Sequence, residues 1–237
     1  MHHFANPLRF ARLADTLLPW LTAATLLAFA VALPWALIFS PEDYQQGDTV
    51  RIMYVHVPSA YLSLMSYMAV AVSGAVWLIW KHPLADLAAR AAAPMGAVFT
   101  AMALITGAVW GKPMWGTYWA WDARVTSMLV LFFLFLGYIL LRAMIEDPDK
   151  AGRASAILAI VGVINIPIIK FSVEWWTTLH QPASMRLDGI RMHDAFLGPL
   201  FTMLIAFTCY FITILLWRIK AEIEAKRLDG FRQIEAA

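Results

Sequence analysis

Residues 17–39 read LLPWLTAATLLAFAVALPWALIF and contain no charged side chain. A helix needs about 20 predominantly apolar residues to cross the ~30 Å hydrocarbon layer of a bilayer, so this stretch predicts a transmembrane helix. Arg9 and Arg12 precede it, as they would in a signal peptide. The run is too long for a signal-peptide core, however, and no small-residue cleavage pattern follows it. We therefore expect a retained first helix.

Comparable apolar runs recur along the rest of the chain. Together they number six, at residues 17–39, 59–80, 91–109, 125–141, 154–171 and 195–217. Of the 237 residues, 61% are apolar and 14% are charged, whereas soluble domains have about 45–50% and roughly 25%. Asn165 and Pro167 are expected to interrupt the fifth run. The sequence predicts an all-α membrane protein with six transmembrane helices and a single domain over residues 1–237.

The distribution of basic residues predicts the orientation. Six crossings place both termini on one side of the membrane, and short loops rich in Lys and Arg remain in the cytoplasm. The side of the termini has twelve basic residues: Arg9, Arg12, Lys81, Arg90, Arg142, Lys150, Arg153, Arg218, Lys220, Lys226, Arg227 and Arg232. The other side has six: Arg51, Lys112, Arg124, Lys170, Arg186 and Arg191. We therefore expect cytoplasmic termini, with residues 40–58, 110–124 and 172–194 on the outer face.

Charge and cysteine content exclude several classes of function. The net charge is +2, and the basic residues form no dense patch of the kind that binds nucleic acid. Cys209 is the only cysteine. An internal disulfide, a Cys-x-x-Cys redox pair and a Cys-x-x-Cys-His site for covalent haem attachment are therefore all excluded.

Tryptophan is concentrated in two of the outer segments. Six of the eleven tryptophans lie there: Trp110, Trp115, Trp119, Trp121, Trp175 and Trp176. Residues 110–124 read WGKPMWGTYWAWDAR. A helical turn that begins at Pro113 would place Trp115, Tyr118, Trp119 and Asp122 on one face, at positions i, i+3, i+4 and i+7. This aromatic shelf is either an interfacial anchor helix or a platform for a flat, amphipathic ligand.

Three histidines, His56, His180 and His193, lie on the predicted outer side, none of them inside an apolar run. Each is either a hydrogen-bonded surface residue or a ligand. Neutral imidazole is a good axial donor for haem iron, and His56 and His180 facing an aromatic shelf would give a six-coordinate iron. His193 competes with His180 for the second position.

Haem propionates need cations near the water interface, and four arginines are available on the outer side. Arg51 and Arg124 are the first candidates, ahead of Arg186 and Arg191. Ordinary surface charge, or for Arg124 an ion pair with Asp122, is the alternative.

The segment WGKPMWGTYWAWDARVTS, at residues 110–127, resembles the tryptophan-rich WWD motif of haem-handling proteins in cytochrome c biogenesis. YVHVPSAY precedes it at residues 54–61, and NIPIIKFSVEWWTTLHQPAS follows it at residues 165–184. With these flanks, this length and six predicted helices, the chain resembles the CcmC family over residues 17–217. The larger CcmF and CcsA types have more membrane helices.

The resemblance implies roles for individual residues. His56 and His180 match the family's two axial haem ligands, and Trp115, Trp119, Trp121 and Asp122 match the core of its haem-contacting motif. Tyr118 stands where many relatives have tryptophan, a change that keeps an aromatic face. The haem would be b-type and non-covalently bound.

The resemblance also implies partners: the haem chaperone CcmE, the ATP-binding cassette complex of CcmA and CcmB, and the small membrane protein CcmD. The chain lacks a Gly-x-x-x-x-Gly-Lys loop, so any ATP-dependent step would belong to those partners.

The sequence thus predicts a platform that binds haem at the periplasmic face of the inner membrane and presents it to CcmE. It predicts no enzyme, although assistance to covalent attachment on the chaperone stays open. One alternative is a cytochrome b-like electron-transfer subunit, which would place its histidines inside the helices. Another is a permease for haem or a small molecule, which would have intramembrane polar residues along a path.

Overall fold

A computed structural model describes residues 6–180, 185–186 and 189–235, without the side chains of residues 185, 186 and 229–235. Within these residues the chain forms seven α-helices and two very short strands. The helices are α1 (Pro7–Pro34), α2 (Met53–Trp80), α3 (Pro83–Trp115), α4 (Ala123–Met144), α5 (Pro148–Gly162), α6 (Asn165–Trp175) and α7 (Asp194–Glu235). A π-helical turn, Trp35–Phe39, continues α1, and a 3-10 turn, Asp48–Ile52, leads into α2.

The prediction of six transmembrane helices is confirmed. Six helical stretches among the described residues are long and apolar enough to cross a membrane: Pro7–Phe39, Asp48–Trp80, Pro83–Trp115, Ala123–Met144, Pro148–Trp175 and Asp194–Leu228. The two strands, β1 (Met185–Arg186) and β2 (Gly189–Ile190), form a minimal antiparallel ladder in an otherwise helical architecture.

Several helix boundaries differ from the predicted ones. α2 begins at Met53, six residues before the predicted start at Ser59, so His56 lies inside its first turns. The prediction that no histidine lies within a membrane helix was therefore wrong for His56. α3 ends at Trp115, beyond the end of the predicted run at residue 109, and it includes Lys112 and Pro113 in its last turn. Apolar runs underestimate the lengths of these helices, because a helix can continue through polar residues once it leaves the hydrocarbon layer.

The predicted interruption of the fifth span is present two residues earlier than expected. α5 ends at Gly162 and α6 begins at Asn165, with a turn at Val163 and Ile164 between them. Asn165 is buried, and its amide donates to the Ser127 carbonyl at 2.9 Å. This bond satisfies a buried polar group, and it ties the break to α4.

Two of the apolar clusters that hold the bundle together lie on either side of the α2–α3 hairpin. One joins α2 and α3 to α4, α5 and α6, around the fully buried Tyr67 and Phe135. The other joins them to α1 and α7, around Phe99 and Leu200. Gly96 lets the Phe135 ring approach the α3 backbone, since a Cβ there would overlap the ring. Close approach at small residues is typical of membrane helix packing.

Three connecting segments meet at one end of the bundle, which we call the site end. They are residues 40–52 between α1 and α2, residues 116–122 between α3 and α4, and the described part of residues 176–193 between α6 and α7. The start of α1 and the end of α7 lie at the opposite end, since six spans separate them.

Candidate functional site

The tryptophan-rich segment does not form the predicted helical shelf. α3 ends at Trp115 because Gly116 adopts a left-handed conformation, with φ of 77°, and its N–H bonds to the Lys112 carbonyl at 3.0 Å. Glycine adopts this conformation without the steric cost that a side chain would add. Residues 117–122 are therefore an irregular loop, and the i, i+3, i+4, i+7 interpretation that began at Pro113 was wrong.

The loop nevertheless brings most of the predicted aromatic residues to one cavity at the site end. The cavity has a volume of about 320 Å³, within the usual range for small-molecule sites. Its walls come from α2, α3, α4, α6 and the two connecting loops. The lining residues include His56, Tyr61, Gly107, Trp115, Tyr118, Trp119, Arg124, Lys170 and His180, with apolar residues forming most of the remainder.

His180 is held in this cavity by Asp122. Its Nδ1 lies 2.8 Å from Asp122 Oδ2, and the Asp122 side chain is only 7% exposed. The other carboxylate oxygen, Oδ1, accepts from the Val125 N–H at 2.8 Å and so caps the start of α4. Trp115 packs edge-on against the imidazole, with ring centroids 4.7 Å apart. The carboxylate therefore fixes the orientation of the histidine as well as the helix start.

Burial lowers the pKa of His180 below its ordinary value, and the hydrogen bond that His180 donates to Asp122 only partly offsets that shift. The ring is therefore neutral near pH 7 and carries one hydrogen. Because Nδ1 faces a carboxylate, we place that hydrogen on Nδ1, which leaves the Nε2 lone pair free to bind a metal.

His56 reaches the same cavity from α2. Its Nδ1 lies 3.1 Å from the Thr106 hydroxyl on α3. That hydroxyl donates its own hydrogen to the Met102 carbonyl at 2.6 Å, so it must accept from His56 Nδ1. In a neutral His56 ring, this arrangement leaves Nε2 as the acceptor. Two imidazoles whose Nδ1 atoms are both hydrogen-bonded therefore line one cavity, as a bis-histidine iron site requires.

The space around His56 depends on residues that the sequence interpretation did not single out. Gly107 faces the ring, since a Cβ at this position would lie 3.0 Å from His56 Cε1. Trp110 packs against the other side, with ring centroids 5.8 Å apart. Ala103, Thr106, Gly107 and Trp110 are spaced i, i+3, i+4 and i+7, so helical periodicity in ALITGAVW, residues 103–110, could have identified this face.

An indole group in the cavity wall supports a ligand with both apolar and polar parts. Trp119 Nε1 is buried and has no hydrogen-bond partner among the described residues. A buried donor without a partner is costly, so such groups call for an acceptor that a ligand or water supplies. Aromatic faces, an orphan N–H and two imidazoles together fit a haem, with its flat macrocycle, its iron and its carboxylates.

The two arginines predicted to bind propionates lie in different surroundings. Arg124 lines the cavity, where its Nε donates to Ser172 Oγ at 3.3 Å and its Nη2 to the Lys170 carbonyl at 3.4 Å. Arg51 pairs with Asp48 at 3.0 Å and donates to the Ser40 carbonyl at 3.2 Å. Arg51 is not among the residues that line the cavity. The Arg186 side chain lies outside the described residues.

Trp121 and His193 also lie outside the cavity lining. Trp121 is 76% exposed and packs edge-on against Trp119, with ring centroids 5.4 Å apart. His193 accepts from the Ala195 N–H at 3.2 Å, where it caps the first turn of α7. It lines a separate cavity with Arg191, Trp110 and the 41–46 loop.

Comparison with known proteins identifies relatives along the whole chain. Residues 1–233 match the family model described as Heme exporter protein C. The Bradyrhizobium diazoefficiens Heme exporter protein C is 51% identical over 234 residues, which cover 98% of this chain and 89% of the relative. The Escherichia coli K12 protein of the same name is 44% identical over 220 residues, which cover 93% and 89%. The Rhodobacter capsulatus protein is 41% identical over 234 residues, which cover 98% and 97%.

Proposed function

The chain belongs to the haem exporter protein C family and is a multi-pass protein of the inner membrane that handles haem in cytochrome c maturation, and from this premise we propose how it does so. It binds b-type haem non-covalently in the site-end cavity, with His56 and His180 as axial ligands, and presents it to the chaperone CcmE. The observation that carries the proposal is the pair of imidazoles in one cavity, each with its Nδ1 atom hydrogen-bonded so that Nε2 is available to iron in the neutral ring.

The cavity walls suit this ligand in both chemistry and position. Trp115 and Trp119 offer aromatic faces for dispersion contact with the macrocycle. Arg124 supplies a cation for a propionate and is the better supported of the two predicted arginines, because Arg51 is engaged by Asp48. Lys170 also lines the cavity. When bound, haem would supply the iron that the two imidazoles coordinate.

The site end faces the periplasm in this proposal. The basis is the asymmetry of twelve basic residues on the side of the termini against six on the other. A cavity at the outer face lets a periplasmic acceptor approach haem without crossing the membrane. CcmE is the acceptor proposed from the family resemblance, with CcmA, CcmB and CcmD as membrane partners.

Binding and presentation, not catalysis, are the roles proposed for this chain. Asp122 caps the start of α4 and holds His180 in place, so the role proposed for it is to orient a ligand. ATP hydrolysis, if it drives release, belongs to CcmA and CcmB, because this sequence has no phosphate-binding loop.

The proposal is tested by purifying the chain from membranes without its partners and recording its visible spectrum. We expect a Soret band and the α and β bands of a low-spin, six-coordinate haem. A His56→Gly, His180→Gly double variant should lose them, whereas His82→Gly, at the opposite end of the bundle, should keep them. A wild-type protein that binds no haem after reconstitution with added haem would contradict the proposal.

A further inference from the structure

The two cavity histidines are held by acceptors of different chemistry. Asp122 accepts from His180, and Thr106 accepts from His56. We infer that Thr106 and Asp122 position the histidines as unequal ligands, so that His56 is the one that releases iron first. The inference rests on the proposed function, since it concerns the order in which the same two histidines dissociate from the iron.

The contact of His180 strengthens that residue as a ligand. A carboxylate that accepts from Nδ1–H draws the hydrogen toward itself and makes the opposite nitrogen more basic. The bond is short, at 2.8 Å, and the Asp122 side chain is almost fully buried, so water screens it little. The Val125 N–H fixes the second oxygen, so the carboxylate cannot turn away.

The contact of His56 is weaker in both charge and length. The Thr106 hydroxyl is neutral, lies 3.1 Å from Nδ1 and already donates to the Met102 carbonyl. The Ala103 carbonyl, which also accepts from His56, is neutral too. A neutral acceptor orients the ring and selects the same tautomer, but it adds much less electron density to Nε2 than a carboxylate does. His56 is therefore the poorer donor to iron.

The backbone positions of His56 and His180 do not change the expected order of release. His56 lies on a helix and His180 in a loop, which alone would favour loss of His180. The loop, however, is held beside the cavity in two ways. Trp115 packs on the His180 ring, and Asp122 accepts from its Nδ1. The difference between the two acceptors therefore decides which bond breaks.

One consequence concerns the direction of transfer. If His56 releases the iron first, His180 would hold the haem alone until an acceptor protein takes it over. An acceptor protein that supplies its own axial ligand would fill the position that His56 leaves.

The inference is tested with carbon monoxide on the reduced, haem-loaded protein. Carbon monoxide replaces the weaker histidine, and its C–O stretching frequency then reports the histidine that stays on the opposite side of the iron. We expect the infrared band of the wild-type adduct to coincide with that of His56→Gly and to differ from that of His180→Gly. Coincidence with His180→Gly, or two wild-type bands of similar intensity, would overturn the inference.

Variants of the two positioning residues, Thr106 and Asp122, provide a second test of the inference. Thr106→Val keeps the side-chain shape without an acceptor and should speed carbon monoxide binding by about 10-fold, while Thr106→Ser should restore the wild-type rate. Asp122→Asn should shift the C–O band, because its effect passes through the histidine that stays. An unchanged rate in Thr106→Val would contradict the role of Thr106. Absence of haem from every protein, wild type included, would instead contradict the proposed function.

Discussion

His180 Nδ1 and Asp122 Oδ2 lie 2.8 Å apart although 58 positions separate the two residues in the sequence. The bond connects the segment after α6 to the first turn of α4, and it brings the C-terminal half of the chain to the tryptophan-rich loop. One carboxylate thus links helix capping to the orientation of a proposed iron ligand.

The two tasks of Asp122 can be separated by Asp122→Ser. Serine is a good N-cap, so α4 should keep its stability, whereas alanine at an N-cap typically costs about 1 kcal/mol. The shorter hydroxyl should no longer hold His180. We therefore expect haem affinity to fall by roughly 10- to 100-fold, the usual effect of losing a residue that orients a metal ligand, and haem content to fall with it. Haem content per protein and thermal stability in detergent measure the two effects.

Normal haem occupancy in Asp122→Ser would show that the carboxylate serves only the helix. A parallel loss of stability and haem would show that the two roles cannot be separated by this substitution, and Asp122→Asn, which keeps side-chain size, then decides the matter.

The aromatic walls give a second prediction. Trp115→Ala or Trp119→Ala removes a large face from the cavity and should lower haem affinity about 10-fold or more, or about 1.4 kcal/mol. Trp175 is a matched control, because it is exposed at the same end and stacks on Phe171 outside the cavity lining. Haem titration monitored at the Soret band provides the affinities. An equal loss of haem affinity in Trp175→Ala would indicate that Trp115 and Trp119 are interfacial anchors and not haem contacts.

A third prediction concerns the room for the His56 ring. In Gly107→Ala the added Cβ would lie 3.0 Å from His56 Cε1, closer than ordinary van der Waals contact, so the ring must shift by a few tenths of an ångström. Alanine favours the helix over glycine by about 1 kcal/mol, so α3 itself should not weaken. We expect a partly high-spin spectrum. Gly137→Ala, which meets only the Leu158 side chain, should keep the wild-type spectrum.

Sequence patterns predicted the fold well because a bilayer imposes one strong requirement. Each span must be a long apolar helix, and six such runs were visible. The helix ends were harder to predict, as α2 shows. Residues 48–58 include Asp48, Arg51 and His56, and no apolar run marks them as helical. Hydrogen bonding and headgroup contact, not hydropathy, decide where these helices begin.

The site was predictable in its residue types and less so in its geometry. Tryptophan clustering and the outer histidines indicated the right region, but Gly116 replaces the expected helical shelf with a loop. The contacts of Thr106 with His56 and of Asp122 with His180 span 50 and 58 positions. Local periodicity cannot show such contacts, because they depend on how separate helices pack.

Orientation in the membrane is the subject of the fourth prediction. In a Cys209→Ser background, Tyr44→Cys should react with a membrane-impermeant maleimide added to intact spheroplasts, because Tyr44 is 92% exposed at the site end. Lys150→Cys, at the opposite end with its side chain 79% exposed, should react only after the membrane is permeabilised. Ser184→Cys, which lies outside the described residues, is expected to behave like Tyr44→Cys. The reverse pattern would place the cavity in the cytoplasm.

The central claim is that His56 and His180 share one haem, and imidazole rescue tests it most directly. His56→Gly and His180→Gly each leave room for a free imidazole, so the visible spectrum of each haem-loaded variant should change from five- to six-coordinate when imidazole is added. His193→Gly should show the wild-type spectrum throughout, because His193 caps α7 outside the cavity. An unperturbed bis-histidine spectrum in His180→Gly without imidazole, together with its loss in His193→Gly, would contradict the account.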